Sequence, residues 1–115
     1  MKNNIDAHEN ILALIGNTPL IKLNKSVSDY KGKFFAKYEA NNPGHSNKDR
    51  IALHIVETAE KEGLINENTT IIETSSGNTG FSLSMVAMVK GYKCIVAVSN
   101  KSSKDKIDML KSMGA

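Results

Sequence analysis

Apolar residues recur along this chain at two spacings, and their alternation predicts the order of its secondary-structure elements. Short apolar or β-branched runs predict strands at residues 21–23, 34–38, 69–74 and 94–98. Apolar residues three or four positions apart predict helices, which glycines end. The helical segments carry Ile51, Ala52, Ile55, Val56 and Ala59, then Phe81, Leu83, Met85, Val86, Met88 and Val89, and finally Ile107, Leu110 and Met113.

The N-terminal part carries a shorter helical signal. Asp6 and Glu9 have the spacing of a capping box, and apolar residues follow from Ile11 to Ile15. Gly16 is expected to end this helix. A turn through Pro19 then leads into the first strand.

Strands that alternate with helices of ten or more residues indicate right-handed βαβ units. The expected fold class is therefore α/β, a parallel sheet with helices on both faces. The segment at 81–89 is apolar on more than one face, so the second long helix should be well buried. The chain reaches Gly114 and Ala115 where another strand is expected to begin, which predicts an α/β domain truncated at this point.

Composition narrows the functional classes. The chain has 115 residues, enough for one domain with a core, and 15 basic residues are interspersed with 12 acidic ones. With a net charge of +3 and 5% aromatic residues, nothing indicates nucleic-acid binding. The N-terminal residues do not have the pattern of a signal peptide, and no run is long enough to span a membrane, so we expect neither feature. The single cysteine, Cys94, excludes an internal disulfide and fits a reducing cytoplasm, where a cysteine in an apolar strand is inert core.

The stretch at residues 42–50, NPGHSNKDR, carries the first chemical signal. Pro43 and Gly44 break the backbone, and Ser46 or Asn47 can cap the helix that follows. Lys48 then lies in the first turn, where the helix dipole disfavours the ammonium form and favours a neutral, nucleophilic amine. Such an amine reacts with carbonyls, and pyridoxal phosphate (PLP) is the commonest protein-bound aldehyde. The alternative is a solvated Lys-Asp-Arg cluster at the start of a helix.

A second signal follows the third predicted strand. The segment at 75–79 forms a polar turn between a strand and a helix N-terminus, a place that binds carboxylates or phosphates. Alone it is equally consistent with an ordinary loop and cap. Because Lys48 follows the preceding strand, both loops should lie on the same rim of the sheet. Together they suggest an amine that binds an aldehyde cofactor beside an anion site for a small carboxylate substrate.

The order and spacing of three segments resemble a known family. They are residues 15–20 (IGNTPL), 42–50 (NPGHSNKDR) and 73–80 (ETSSGNTG). Together they resemble the cysteine synthase (O-acetylserine sulfhydrylase) family of fold-type II PLP enzymes, with cystathionine β-synthase as close kin. The resemblance covers nearly the whole chain and implies the N-terminal part of a tryptophan synthase β-like fold.

The resemblance implies roles for individual residues. Lys48 would form the internal Schiff base with PLP and later carry the substrate α-proton. Asn78 would hydrogen-bond the 3′-oxygen of the cofactor. The loop that grips the substrate carboxylate would comprise Ser75, Ser76, Gly77 and Thr79.

The implied activity is β-replacement, with cysteine made from O-acetylserine and sulfide. The alternatives are β-elimination or β-replacement on serine, cysteine or phosphoserine, and, from another class, a truncated domain without catalysis. Implied partners are a second copy in a homodimer and the C-terminal peptide of serine acetyltransferase. In the family, residues 1–40 correspond to a segment that packs largely with a further, large domain, and residues 41–115 to a small α/β domain. The glycine-rich loop for the cofactor phosphate has no counterpart here, so the chain alone is expected to be inactive.

Several positions depart from the family pattern. His45 stands where a small residue is usual, Asn47 where an apolar β-branched residue is usual, and Ser75 where threonine is usual. Thr74 and Ser99 stand where the family usually has proline. These departures bear on substrate choice and loop closure. His45 is either a polar group on the substrate side or a tolerated loop residue.

Overall fold

The computed structural model describes residues 6–75 and 77–115, and its elements follow the predicted order. The strands are β1 (Leu20–Lys22), β2 (Phe35–Lys37), β3 (Thr70–Glu73) and β4 (Lys93–Val96). The α-helices are α1 (Lys48–Lys61), α2 (Asn78–Lys90) and α3 (Lys104–Ser112). Gly63 and Gly91 adopt left-handed backbone angles just after α1 and α2, as expected for glycines that end helices.

The strands form two separate pairs. β3 and β4 are parallel and are joined through α2, so the predicted α/β class with a parallel sheet is confirmed. β1 and β2 instead pair antiparallel, with Leu20 opposite Lys37. The connection between them contains a short 3₁₀ helix at Lys25–Val27 and no α-helix, so they form a hairpin rather than a βαβ unit.

Helix α2 is the centre of the packing. Residues 82–87 of this helix are all buried, as predicted for a segment that is apolar on several faces. It packs against α1, α3 and the parallel strands. Cys94 lies on the inner face of β4, 3.8 Å from the hydroxyl of Ser84, in agreement with a core role. On the outer face, the neighbours Ile72 and Ile95 are 67% and 54% exposed.

The first helical segment differs from its prediction. It is a 3₁₀ helix at Ile11–Leu14, and the predicted Asp6 cap is wrong because Asn10 is the N-cap. The Asn10 side chain accepts a hydrogen bond from the backbone of Leu12 at 2.9 Å. An asparagine immediately before the helix can reach an unpaired N–H group that Asp6, four residues earlier, is not placed to cap.

The apolar face of α1 is also narrower than its sequence suggests. Ala52 and Val56 are buried, whereas Ile51 and Ile55 are 42% and 53% exposed. Only the stripe that contacts α2 is covered. None of the described helices has the length and apolar character needed to cross a membrane.

Candidate functional site

The loop before α1 is a tight turn that places Lys48 at the start of the helix. The His45 N–H donates to the Asn42 carbonyl at 2.8 Å, which closes the turn through Pro43 and Gly44. The Ser46 hydroxyl oxygen then accepts the backbone N–H of Lys48 at 3.2 Å. Ser46 rather than Asn47 therefore provides the side-chain cap. Lys48 is the first residue of α1 and is half-buried, as the pattern predicts.

Asp49 is a fully buried carboxylate that joins this loop to α2. One oxygen, Oδ2, accepts the Gly44 N–H at 2.5 Å, and Oδ1 accepts the Ser82 hydroxyl at 2.5 Å. A Cβ atom at Gly44 would lie 2.2 Å from Oδ1, so the turn requires glycine there. The alternative reading of Lys48, Asp49 and Arg50 as a solvated charged cluster is therefore wrong for Asp49. Asp49 shares the buried stripe of α1 with Ala52 and Val56, and that spacing is the signal that could have identified it.

Glu39 organises a second network below the loop. Its carboxylate accepts hydrogen bonds from Arg50 Nε at 2.7 Å and Nη2 at 3.1 Å. The Thr18 hydroxyl donates to the same carboxylate at 2.5 Å. The hydrogen bond from Arg50, followed by the one from Thr18, lowers the pKa of Glu39 to about 2. Sequence reasoning did not assign this network, because Thr18, Glu39 and Arg50 lie on three separate segments.

Asn42 connects the N-terminal turn to the lysine loop. Its Oδ1 accepts the Gly16 N–H at 2.8 Å, and its Nδ2 donates to the Ser46 carbonyl at 3.0 Å. Asn42 is buried, so these bonds replace bonds to water. The segments at 15–20 and 42–50, which the family resemblance selects, are therefore in direct contact.

The polar turn after β3 folds back tightly on the first turn of α2. The Gly77 N–H donates to the Ser75 hydroxyl at 3.2 Å, and Gly77 is the N-cap of α2. A Cβ atom at Gly80 would lie 1.9 Å from the Ser75 carbonyl oxygen, a distance that excludes any side chain. Gly80 thus allows the turn to lie against the helix.

A cleft of about 320 Å³ lies where the two loops and α3 meet. Its lining residues are Gly44, His45, Gly77, Asn78, Phe81, Lys106, Met109 and Leu110. The cleft thus brings the lysine loop and the α2 loop together, and its size is in the range of small-ligand sites. The prediction that both loops lie on one rim of the same sheet is wrong, because β2 pairs with β1 and is not part of the β3–β4 sheet. Lys106 and His45 provide its basic groups, and Lys106 was not among the candidates from the sequence.

The predicted site residues are distributed around this cleft. Gly77 and Asn78 line it, while Ser75 and Thr79 are half-buried at the start of α2. Ser76 lies outside the described residues. Lys48 is not among the lining residues, although its own loop contributes two of them. The chemical roles of all these residues stay predictions. Within residues 6–75 and 77–115, no three acidic, histidine or cysteine side chains are grouped as metal ligands.

A family model and individual known proteins match nearly the whole of this chain. The sequence model of the family described as "Pyridoxal-phosphate dependent enzyme" matches residues 11–115. The chain is 50% identical over 107 residues to cystathionine beta-synthase of Apis mellifera and 46% identical over 107 residues to that of Dictyostelium discoideum. These alignments cover 91% and 93% of this chain but 21% and 22% of those proteins. The chain therefore spans about one fifth of the length of these curated relatives.

Solved structures with the same fold are also similar in sequence. A hydrogen sulfide-producing enzyme from Fusobacterium nucleatum superposes with a TM-score of 0.88 and 42% identity, covering 96% of this chain and 36% of that one. O-ureido-L-serine synthase superposes with a TM-score of 0.88 and 35% identity, covering 95% and 34%. Both similarities extend over nearly all of this chain and about one third of the solved one.

Proposed function

This chain belongs to the family of pyridoxal-phosphate-dependent enzymes, and on that premise we propose that it carries the cofactor lysine and substrate loop of a β-replacement enzyme. The family's cofactor is PLP, and the fold is that of the N-terminal part of a fold-type II enzyme. The observation that carries the proposal is the geometry of the lysine loop. A buried carboxylate ties the turn before Lys48 to α2, whose N-terminus shares a cleft with that turn.

The residues present fit part of the cofactor. Lys48 supplies a half-buried amine for the aldehyde carbon, and Asn78 supplies a carboxamide in the cleft for the ring oxygen. Among the described residues that line the cleft none is acidic, so none of them places a carboxylate against an anionic group. When bound, PLP withdraws electrons from the α-carbon of an amino acid joined to it, which makes the α-proton acidic.

Residues of this chain have separate roles in proton transfer, in binding the substrate carboxylate and in positioning the lysine loop. Lys48 would hold the cofactor through its aldehyde group, and its amine would accept and return the α-proton of the amino acid. Ser75, Gly77 and Thr79, at the start of α2, bind the substrate carboxylate, since backbone N–H groups at a helix N-terminus favour an anion. Asp49 positions the turn before Lys48 through its bond to Gly44.

Two substrate assignments belong to this proposal. The first is synthesis of cysteine from O-acetylserine and sulfide, which follows from the three sequence segments. The second is β-replacement or β-elimination on serine, cysteine or phosphoserine, and it is favoured by the relatives named cystathionine beta-synthase. The homodimer and the C-terminal peptide of serine acetyltransferase are proposed partners and stay predictions, as does the cytoplasmic location.

The cofactor role of Lys48 is tested in the protein expressed at its full natural length, called here the full-length protein. Lys48→Ala should remove the visible absorbance band of bound PLP and abolish turnover, because no other amine is placed at the start of α1. Lys61→Ala is the matched control, since Lys61 is exposed in the last turn of the same helix. Full turnover by Lys48→Ala would contradict the proposal.

The two substrate assignments are separated by the spectrum of the full-length protein. O-acetylserine, serine, cysteine and phosphoserine are added one at a time, and the products formed with sulfide are identified. A spectral change and cysteine formation with O-acetylserine alone support the first assignment. Faster product formation from serine, cysteine or phosphoserine supports the second. The alternative from another class, a truncated domain without catalysis, predicts that none of these amino acids changes the spectrum.

A further inference from the structure

Two buried serines on α2 have hydroxyl groups to which the proposed function assigns no role. Ser82 and Ser84 are both fully buried. The Ser84 hydroxyl donates to the Gly80 carbonyl at 2.7 Å, so this bond stays within the helix. The Ser82 hydroxyl instead donates to Asp49 Oδ1 at 2.5 Å, and Asp49 belongs to α1. Of these two serines, only Ser82 connects α2 to the helix that carries Lys48.

Ser82 lies one helical turn after Asn78, the residue assigned to the ring oxygen of the cofactor. Residues four positions apart in an α-helix share a face and are about 6 Å apart along the axis. Asn78 lines the cleft, whereas Ser82 is buried. A shift of the turn that contains Ser82 would therefore also shift Asn78.

The acceptor of this hydrogen bond is the residue directly after Lys48. Asp49 is the second residue of α1, and its other oxygen, Oδ2, accepts the Gly44 N–H at 2.5 Å. The Ser82 hydroxyl and the Gly44 N–H therefore share one carboxylate group. Because that group is rigid and planar, the position of either donor restricts the position of the other. We call these two hydrogen bonds the Asp49 bridge.

The Asp49 bridge is shielded from water. Asp49 and Ser82 are both fully buried, so water does not replace a bond that is lost. Hydrogen bonds to a charged acceptor are also stronger than those between neutral groups. A displacement of α2 relative to α1 would leave a buried carboxylate oxygen without its donor. The bridge thus favours one relative position of the two helices.

We propose that Ser82 is a positioning residue of the β-replacement reaction. Its hydroxyl fixes the Asp49 carboxylate and thereby sets the distance between the Lys48 amine and Asn78, the two groups assigned to the cofactor. Ser82 acts through Asp49 and is not among the residues that line the cleft. This inference rests on the proposed function and extends it to a residue outside the cleft.

Ser82→Ala in the full-length protein tests the inference, and Ser84→Ala is the matched control. Ser82→Ala should weaken the binding of PLP to the apoprotein about 3- to 10-fold. It should lower kcat about 3- to 30-fold, because a small misplacement of the amine slows the reaction. The KM for the amino acid should change less than about 2-fold, since the proposed carboxylate site lies within the start of α2. Ser84→Ala should change none of these quantities.

Chemical denaturation separates positioning from a general loss of stability. Each alanine variant removes one buried hydroxyl from the same helix, so the two denaturation midpoints should fall by similar amounts. If Ser84→Ala lowers PLP affinity and kcat as much as Ser82→Ala does, loosening of α2 explains both effects. That result would overturn the proposal.

Ser82→Thr provides a rescue, because threonine keeps the hydroxyl group. PLP affinity and kcat should return towards the values of the parent, although the added methyl group lowers the denaturation midpoint in a fully buried position. Function should therefore follow the presence of the hydroxyl. The proposal fails if PLP affinity and kcat follow the denaturation midpoint across Ser82→Ala, Ser82→Thr and Ser84→Ala.

A double variant tests whether Ser82 acts through Asp49. Ser82→Ala combined with Asp49→Asn should lower PLP affinity by less than the product of the two single effects, because both changes alter the same hydrogen bond. Single effects that multiply in the double variant would show that Ser82 acts independently of Asp49, and this would contradict the assigned role.

Failure of this inference can be told apart from failure of the proposed function. The proposed function predicts a spectral change when an amino-acid substrate is added to the parent protein, a measurement that involves no serine variant. If that change occurs and Ser82→Ala behaves like Ser84→Ala, only the inference fails. If no amino acid changes the spectrum, the proposed function fails, and the PLP affinities of the two variants still decide whether Ser82 positions the lysine loop.

Discussion

At the scale of single residues, buried polar groups determine how the lysine loop is held. Asp49 is fully buried and accepts hydrogen bonds from Gly44 and Ser82, which lie on different segments. A buried carboxylate is stable only when its oxygens are paired. The position of Lys48 therefore depends on its neighbour Asp49, which has no role in substrate binding or proton transfer in the proposed reaction.

Asp49→Ala should destabilise the protein. Each buried donor left without an acceptor costs about 1–3 kcal/mol, and this variant leaves the Gly44 N–H and the Ser82 hydroxyl unpaired. Asp49→Asn should be less damaging, because one carboxamide oxygen still accepts from Gly44 while the amide can donate to Ser82. Chemical denaturation of both variants measures the difference. Equal stability of Asp49→Ala and the parent would contradict the buried contacts.

Glu39 makes stability depend on pH in the acidic range. Arg50 and Thr18 hold its pKa at about 2, below its ordinary value of 4.5. Because the folded-state pKa is depressed, the contribution of Glu39 is fully present above its unfolded pKa and is lost as pH falls from about 4.5 through about 2. Acid should therefore loosen the contact between the N-terminal turn and α1.

Glu39→Gln isolates this contribution. The parent should be more stable than the variant at pH 6, and the difference should shrink as pH falls through 4 towards 2, because the parent carboxylate becomes protonated. Unfolding midpoints at several pH values provide the measurement. Glu57→Gln is the control, since Glu57 has only a 3.9 Å contact with Lys90. A difference that is constant with pH would show that the charge of Glu39 is not what stabilises the contact.

At the scale of elements, the start of α2 is defined by close contact between a loop and a helix. Gly80 permits the Ser75 carbonyl to approach the first turn, so the loop that carries the proposed substrate groups lies directly on the helix. Elsewhere in α2 the buried residues are larger and pack against α1 and the parallel strands.

Gly80→Ala should disrupt this loop. Its methyl group would lie 1.9 Å from the Ser75 carbonyl oxygen, so the backbone must move, and such overpacking costs about 1–3 kcal/mol. Gly77→Ala is the matched variant three residues earlier, because its added atom lies 3.6 Å from Ser75 Oγ, an ordinary contact. Denaturation midpoints should fall more for Gly80→Ala. A larger loss for Gly77→Ala would contradict the described contact.

At the scale of the whole molecule, much apolar surface is exposed on the strands. Leu20, on β1, is 61% exposed, and the outer face of the parallel pair carries Ile72 and Ile95. The expectation that residues 1–40 pack largely with a further, large domain stays a prediction. Contiguous exposed apolar residues on strands favour association with other protein surfaces.

The 115-residue chain by itself should therefore self-associate and should not retain PLP after dialysis. Sedimentation and the absorbance spectrum measure the two properties. Leu20→Lys should reduce association, whereas Leu64→Lys should not, because Leu64 is 72% exposed but lies in the loop after α1. A monomer that keeps stoichiometric PLP and reacts with O-acetylserine would contradict both expectations.

The order of elements and the position of Lys48 could be predicted from the sequence. Helix and strand periods, the glycines after α1 and α2, and the cap before Lys48 are signals carried by residues close together in the chain. These signals are local, so they do not depend on how distant segments meet. The three sequence segments likewise indicate PLP chemistry without reference to any tertiary contact.

Tertiary structure decided which distant residues share an environment. The hairpin of β1 and β2, the burial of Asp49 against Ser82, the pairing of Glu39 with Arg50, and the cleft between His45 and Lys106 all join segments far apart in sequence. The spacing of apolar residues within one segment does not reveal such contacts. They depend on how the backbone brings distant segments together and on which polar groups are shielded from water. The sequence determined what kind of chemistry this chain can take part in, and the fold determined which side chains surround it.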